Sequence, residues 1–185
     1  MNIGEIVEFG NFHGSSEWKV IAKEDGRALL LSKYGVDNQC YEREYTYVTW
    51  ETSGARKWLN GEFIDEAFSD EEKEQILVTD VAADENPDFR VSCGNDTKDK
   101  VFLLSVEEVN KYLSAEDASC EATEYAKSRG LFVEYSGKSW WWLRTPGYTA
   151  LNASFVHANG ETDAYGYAAI IDRSLIRPAM WVRAN

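Results

Sequence analysis

What the chain lacks narrows its chemistry first. It has only two histidines, His13 and His157, and neither stands in a spaced ligand motif, so a histidine-based metal site is not expected. Its three cysteines, Cys40, Cys93 and Cys120, form an odd set without CxxC spacing, which suits free thiols made in a reducing compartment. There is no Gly-x-Ser-x-Gly elbow, no phosphate-cradling glycine loop and no dinucleotide fingerprint. No catalytic set, no metal and no cofactor is therefore expected. Asp80, Asp84, Asp88 and Asp96 could offer oxygens to calcium, but they lack the Asp-x-Asp-x-Asp-Gly order of a dedicated loop. A solvated acidic loop is the expectation there.

Long apolar runs are missing too: none approaches the roughly 18 residues that a membrane span needs, and no signal-peptide pattern opens the chain. The expectation is no membrane insertion and a cytoplasmic product as made, with surface display or virion association if it joins a larger assembly. Positive charge is scarce. Lys and Arg number 19 against 32 Asp and Glu, for a net charge of −13, which argues against nucleic acid and anionic membrane surfaces as partners. The deficit is uneven: residues 1–135 carry 14 basic and 29 acidic side chains, residues 136–185 carry 5 and 3. The first part reads as a solvated shell, the second as core strands plus a contact surface.

What is present is a core. Hydrophobic residues make up 44% of the 185, with seven tryptophans, enough for one domain over 1–185 without a disulfide or metal staple. Glu5–Phe9 alternates like a strand, and Asp25-Gly26 separates two apolar runs, 18–24 and 27–32, as a tight hairpin turn does. A helix is predicted from Ser53 with Ala55, Trp58 and Leu59 on its buried face, stopping at Asn60-Gly61. Capping boxes at Ser69/Glu72 and Ser105/Glu108 open helices to about Ile76 and Leu113, and another helix is predicted over 121–129. Residues 82–97 read as loop, 100–104 as a buried strand. Strands are then predicted at 140–144, 153–157, 165–171 and 177–183, with a turn at Asn159-Gly160. The first and last of these are expected to share one sheet. Hairpin, helices, then a β meander is an α+β order.

Several motifs occur in a fixed order: Trp50-Glu51-Thr52-Ser53, Arg56-Lys57-Trp58-Leu59-Asn60, Ala67-Phe68-Ser69, residues 97–105 (TKDKVFLLS) with Glu108, Trp141-Trp142-Leu143-Arg144-Thr145-Pro146-Gly147, Gly160 and Arg177-Pro178-Ala179-Met180-Trp181. Together they resemble the bacterial family called domain of unknown function 6273, over nearly the whole chain. The WWLR…G…RPA pattern is similar to that of C-type-lectin-like domains related to the formylglycine-generating enzyme. The resemblance implies small antiparallel sheets with flanking helices and a ligand surface on the C-terminal strands and loops. Relatives of that architecture include the variable proteins of diversity-generating retroelements, whose segment between the Trp-Leu-Arg and Arg-Pro-Ala strands is hypermutated. No cysteine follows Cys120, so the cysteine oxidation of the catalytic relatives is not expected. The Glu-Pro-Asn, Gln-Pro-Asp and Trp-Asn-Asp signatures of calcium-dependent sugar binding are missing as well.

Between the two motif strands, Tyr148, Leu151, Asn152, Phe155, His157, Asn159, Asp163, Tyr165, Tyr167, Asp172, Arg173 and Ser174 are the expected ligand-binding residues. Tyr and Asn give large or adaptable contacts at small entropic cost, as in antibody paratopes. If Val156 points inward, Phe155 and His157 face outward. The ligand is expected to be a protein or glycan, on a surface that is either diversified or an invariant interface of a bacterial or phage assembly. An ordinary exposed hairpin remains the rival reading. Arg144 and Arg177 fit forked hydrogen bonds to carbonyls and carboxylates. Trp140–Trp142 must alternate on a strand, with Trp141 or its two neighbours in the core.

Overall fold

The computed structural model describes residues 1–130, 133 and 136–184. The chain opens with three antiparallel strands, β1 (Ile6–Phe12), β2 (Ser15–Glu24) and β3 (Arg27–Ser32). Asp25 and Gly26 have φ of 44° and 75°, the doubly positive geometry that lets a two-residue turn follow the twist of its strands. A short strand, β4 (Asp37–Asn38), leads into a long loop ending at the helical turn Trp50–Thr52.

Helix α1 (Gly54–Trp58) starts where the Ser53 side chain accepts the Arg56 N–H. The predicted stop at Asn60-Gly61 is not observed. The chain continues through a wide π turn, Leu59–Phe63, into α2 (Ile64–Ala67). Gly61 does not adopt a positive φ, and the Asn60 side chain works between segments instead of capping: its amide donates to Arg56 and Val101 carbonyls, and its oxygen accepts from Lys100 and Val101 N–H. Leu59 is buried as expected, whereas Trp58 is only half-buried, edge-on to Phe12 and tilted against Phe63.

Helix α3 (Asp70–Gln75) carries the reciprocal Ser69/Glu72 capping box. Strands β5 (Thr79–Val81) and β6 (Thr97–Asp99) pair across the acidic loop. Residues 101–104 are all buried, yet they are no strand. Phe102 makes one bridge to Ala179, the Val101 and Leu103 groups meet the Asn60 and Arg144 side chains, and the Leu104 carbonyl accepts the Arg144 backbone N–H. Helices α4 (Val106–Tyr112) and α5 (Ala115–Ala118) follow, then β7 (Cys120–Glu121) and α6 (Glu124–Ser128), where one longer helix was expected. The Thr123 side chain caps α6 and sets its late start.

The C-terminal part is β8 (Lys138–Ser139), β9 (Trp141–Pro146), β10 (Asn152–Val156), β11 (Thr162–Ala168), β12 (Leu175–Ile176) and β13 (Ala179–Arg183). Two main sheets result, in the orders β1-β2-β3-β13 and β11-β10-β9-β12-β4, with β5-β6 and β7-β8 as small ribbons. The α+β expectation holds. The expectation that 140–144 and 177–183 share a sheet does not. Pro178 has no N–H to donate to a ladder, and the chain changes sheets there: Leu175 pairs with Trp141, whereas 179–183 pair with β3. One hydrophobic cluster runs through both sheets and the helices. It covers both faces of β9, so Trp141 and Trp142 are each fully buried, their indole N–H groups donating to Ala118 and Gln39 carbonyls.

Candidate functional site

β10 and β11 form a hairpin at the edge of the five-stranded sheet. Ala153 faces Tyr167 and Phe155 faces Asp163, so β11 has extra residues between the pairs and bulges outward. Gly166 makes the bulge possible. Its φ is 74°, and a Cβ there would lie 2.5 Å from the Ala153 carbonyl oxygen. The Asp163 carboxylate accepts the Gly166 N–H at 3.1 Å, which fixes the turn of the chain. Tyr165 is thereby pushed onto Tyr148: the rings stack at 4.1 Å with 11° between planes, and the Tyr148 N–H donates to the Tyr165 carbonyl. Partial desolvation and the Tyr148 hydroxyl both push the Tyr165 phenol up from its ordinary pKa.

A second aromatic group lies on the same hairpin. Trp140, half-buried, meets Phe155 at 4.9 Å and Tyr167 at 5.6 Å, both edge-on, and Phe155 meets His157 at 4.7 Å. The His157 ring approaches Asp163 at 3.2 Å.

The expected site residues divide accordingly. Tyr148, His157, Asn159, Tyr165, Tyr167, Asp172 and Arg173 are exposed; Leu151, Asn152 and Asp163 are half-buried. Two expectations of exposure fail. Phe155 is 6% exposed because Trp140 covers it, and Ser174 is fully buried, its hydroxyl donating to the Trp140 carbonyl. Asn159 folds back on its own turn, accepting the Glu161 N–H and donating to its carboxylate. Asp172 and Arg173 lie on the connection from β11 to β12.

Sequence reasoning missed the acidic loop's part in this surface. Asn86 is buried and donates both to the Pro146 carbonyl and to the Ala164 carbonyl, at 2.7 Å each. Its oxygen accepts from Asp88 and Phe89 N–H. That one side chain sets Phe89 edge-on to Tyr165 at 5.7 Å and to Tyr148 at 6.4 Å. Tyr45 and Tyr47, 74% and 79% exposed, were also passed over; their segment reaches the hairpin through the Val48 N–H bond to the Ala150 carbonyl. An alternating pair of tyrosines in a polar stretch of loop, at 45 and 47, was the signal available.

The two arginines flanking the hairpin are structural. Arg144 grips Glu108 with two nitrogens, Asp84 at 2.7 Å, and the Ala82 and Leu103 carbonyls. Arg177, buried, donates to Ser32, Asp117 and Ala118 carbonyls above the Trp141 ring, and burial pushes its pKa down. Asp80 pairs with Lys98, Asp84 with Arg144, and Asp96 accepts the Ala83 N–H. Among the described residues no group of three or more His, Cys, Asp or Glu could hold a metal ion. Nor is any described helix long and apolar enough to cross a membrane.

The fold and this surface define an α+β domain with an aromatic hairpin displayed at a sheet edge. The chain belongs to the family described as domain of unknown function DUF6273, whose model matches residues 25–184. No curated protein and no solved structure matches it.

Proposed function

We propose that this protein is a recognition module with a C-type-lectin-like fold, which binds a protein or glycan through the exposed rings around Tyr148, Tyr165 and Tyr167. The observation carrying the reading is the construction of the surface. A glycine bulge, a buried asparagine and a covered phenylalanine hold tyrosines out in solvent that would otherwise be free to pack inward. Rings held rigid in advance lose little entropy on binding. The fold assignment draws on the N-terminal hairpin sharing a sheet with the C-terminal strand, while a second sheet carries the Trp-Trp-Leu-Arg strand and the displayed hairpin.

If the surface is diversified by a retroelement, variation belongs at Tyr148, His157, Asn159, Tyr165, Tyr167, Asp172 and Arg173. It is excluded from Phe155 and Ser174, which the core holds. A reverse-transcriptase gene beside a near-copy of the 148–174 coding stretch is the expected genomic context of that case. The binding test is a parallel screen of a displayed peptide library and a glycan array, using the native chain and a Tyr148→Ala/Tyr165→Ala variant. Ligands retained by the native chain and lost by the variant are expected. Identical profiles for the two proteins would overturn the reading.

A further inference from the structure

Among the described residues, the exposed large apolar side chains are of two kinds. Ile3, Ile6, Val78 and Ile170 are aliphatic; the other five are all tyrosines, at 45, 47, 148, 165 and 167. All five stand on two segments that the Val48–Ala150 hydrogen bond joins, and Phe89 brings the acidic loop against Tyr148 and Tyr165. The charges around these rings are mostly negative. Residues 42–48, 85–92 and 148–168 hold Glu42, Glu44, Glu85, Asp88, Glu161 and Asp163 against Arg43 and Arg90 alone, and no Lys or Arg lies between Arg144 and Arg173. Glu44, Glu85 and Asp88 are exposed.

We propose that the ligand of this surface is a cationic protein segment whose arginines stack on the tyrosine rings and pair with the rim carboxylates. The inference rests on the recognition reading above and adds the chemical class. A tyrosine face attracts a cation through its quadrupole. The planar guanidinium can stack on that face while directing its N–H fork at a carboxylate, which an ammonium cannot do. Rim charges such as Asp88, one residue from Phe89, are placed for the second half of that contact. The same charges repel an acidic ligand, which narrows the choice by exclusion as well as attraction.

The test is calorimetric titration of the full chain with a capped peptide alternating glycine and arginine, beside its lysine and glutamate counterparts and a neutral cello-oligosaccharide. The arginine peptide is expected to bind most tightly. Tyr165→Leu, which keeps bulk but removes the ring, should weaken it by about tenfold or more, while Tyr165→Phe retains it. Glu44→Gln with Asp88→Asn should also weaken it, whereas Glu71→Gln with Glu74→Gln on α3 removes equal charge and should leave it unchanged. Equal weakening by the two charge pairs means diffuse attraction to an acidic protein and overturns the proposal. So does failure of the arginine peptide to bind. Binding of the oligosaccharide alone, lost in Tyr165→Leu, overturns the cationic class but keeps the recognition surface.

Discussion

Tyr148 and Tyr165, seventeen positions apart, stack at 4.1 Å with their planes 11° from parallel, and the Tyr148 N–H donates to the Tyr165 carbonyl at 2.8 Å. Two exposed rings are thus held as one unit by backbone and ring contacts together. Alanine at either position removes the same stack, so the two substitutions should be non-additive. Each single variant should lower the thermal midpoint by no more than about 3 °C, and the double variant should be little worse than the poorer single. Scanning calorimetry of the three variants checks this; strictly additive shifts would mean the rings do not support each other.

Arg144 should be sensitive to any loss of its charge. It is 3% exposed and holds Glu108, the capping residue of α4, together with Asp84 of the acidic loop. Arg144→Met leaves both carboxylates without their cation and should destabilise the fold by about 3–5 kcal/mol. Adding Glu108→Gln should recover part of the loss, as read from urea denaturation midpoints.

Acid should weaken the contact between α5 and β2. The hydrogen bond from Lys19 is the main cause holding Asp117 below the ordinary carboxylate range. A carboxylate depressed in the folded state stabilises at pH values above its unfolded pKa, and that contribution disappears as pH falls through the folded value. The stability difference between the native chain and Asp117→Asn should therefore be present at pH 7 and close below about pH 4. A difference that widens in acid would refute the assignment.

Gly160 cannot be replaced without strain. Its φ is 91°, and a Cβ would lie 1.8 Å from the Ala115 carbonyl oxygen. The backbone conformation alone should make Gly160→Ala cost about 1–3 kcal/mol, with the clash against α5 adding to it. Hydrogen exchange should quicken in both the 157–161 turn and α5, because the glycine is where they touch.

Leu59 should outweigh its larger neighbour. Leu59 is fully buried, so Leu59→Ala should cost about 2–5 kcal/mol, whereas half-buried Trp58 should cost less when cut to alanine. Paired denaturation curves decide the order.

Much of the fold is determined locally, and the sequence shows it. The Asp25-Gly26 hairpin, the capping boxes at Ser69 and Ser105 and the Asn159-Gly160 turn depend on a few adjacent residues, and each forms as the residues dictate. The motifs that place the chain in its family are likewise visible without coordinates. Other features depend on what arrives from elsewhere in the chain. Asn60-Gly61 looks like a helix stop until Val101 supplies a partner for the asparagine. Strand alternation would put Phe155 in solvent beside His157, but Trp140 covers Phe155 and leaves His157 bare. Asn86 sits in a polar run that reads as plain loop, and only the carbonyls of Pro146 and Ala164 make it the anchor of Phe89. Local rules follow from backbone geometry over a turn or two, whereas the aromatic surface is assembled by contacts between residues 86, 89, 148 and 165, whose nearness no local rule encodes.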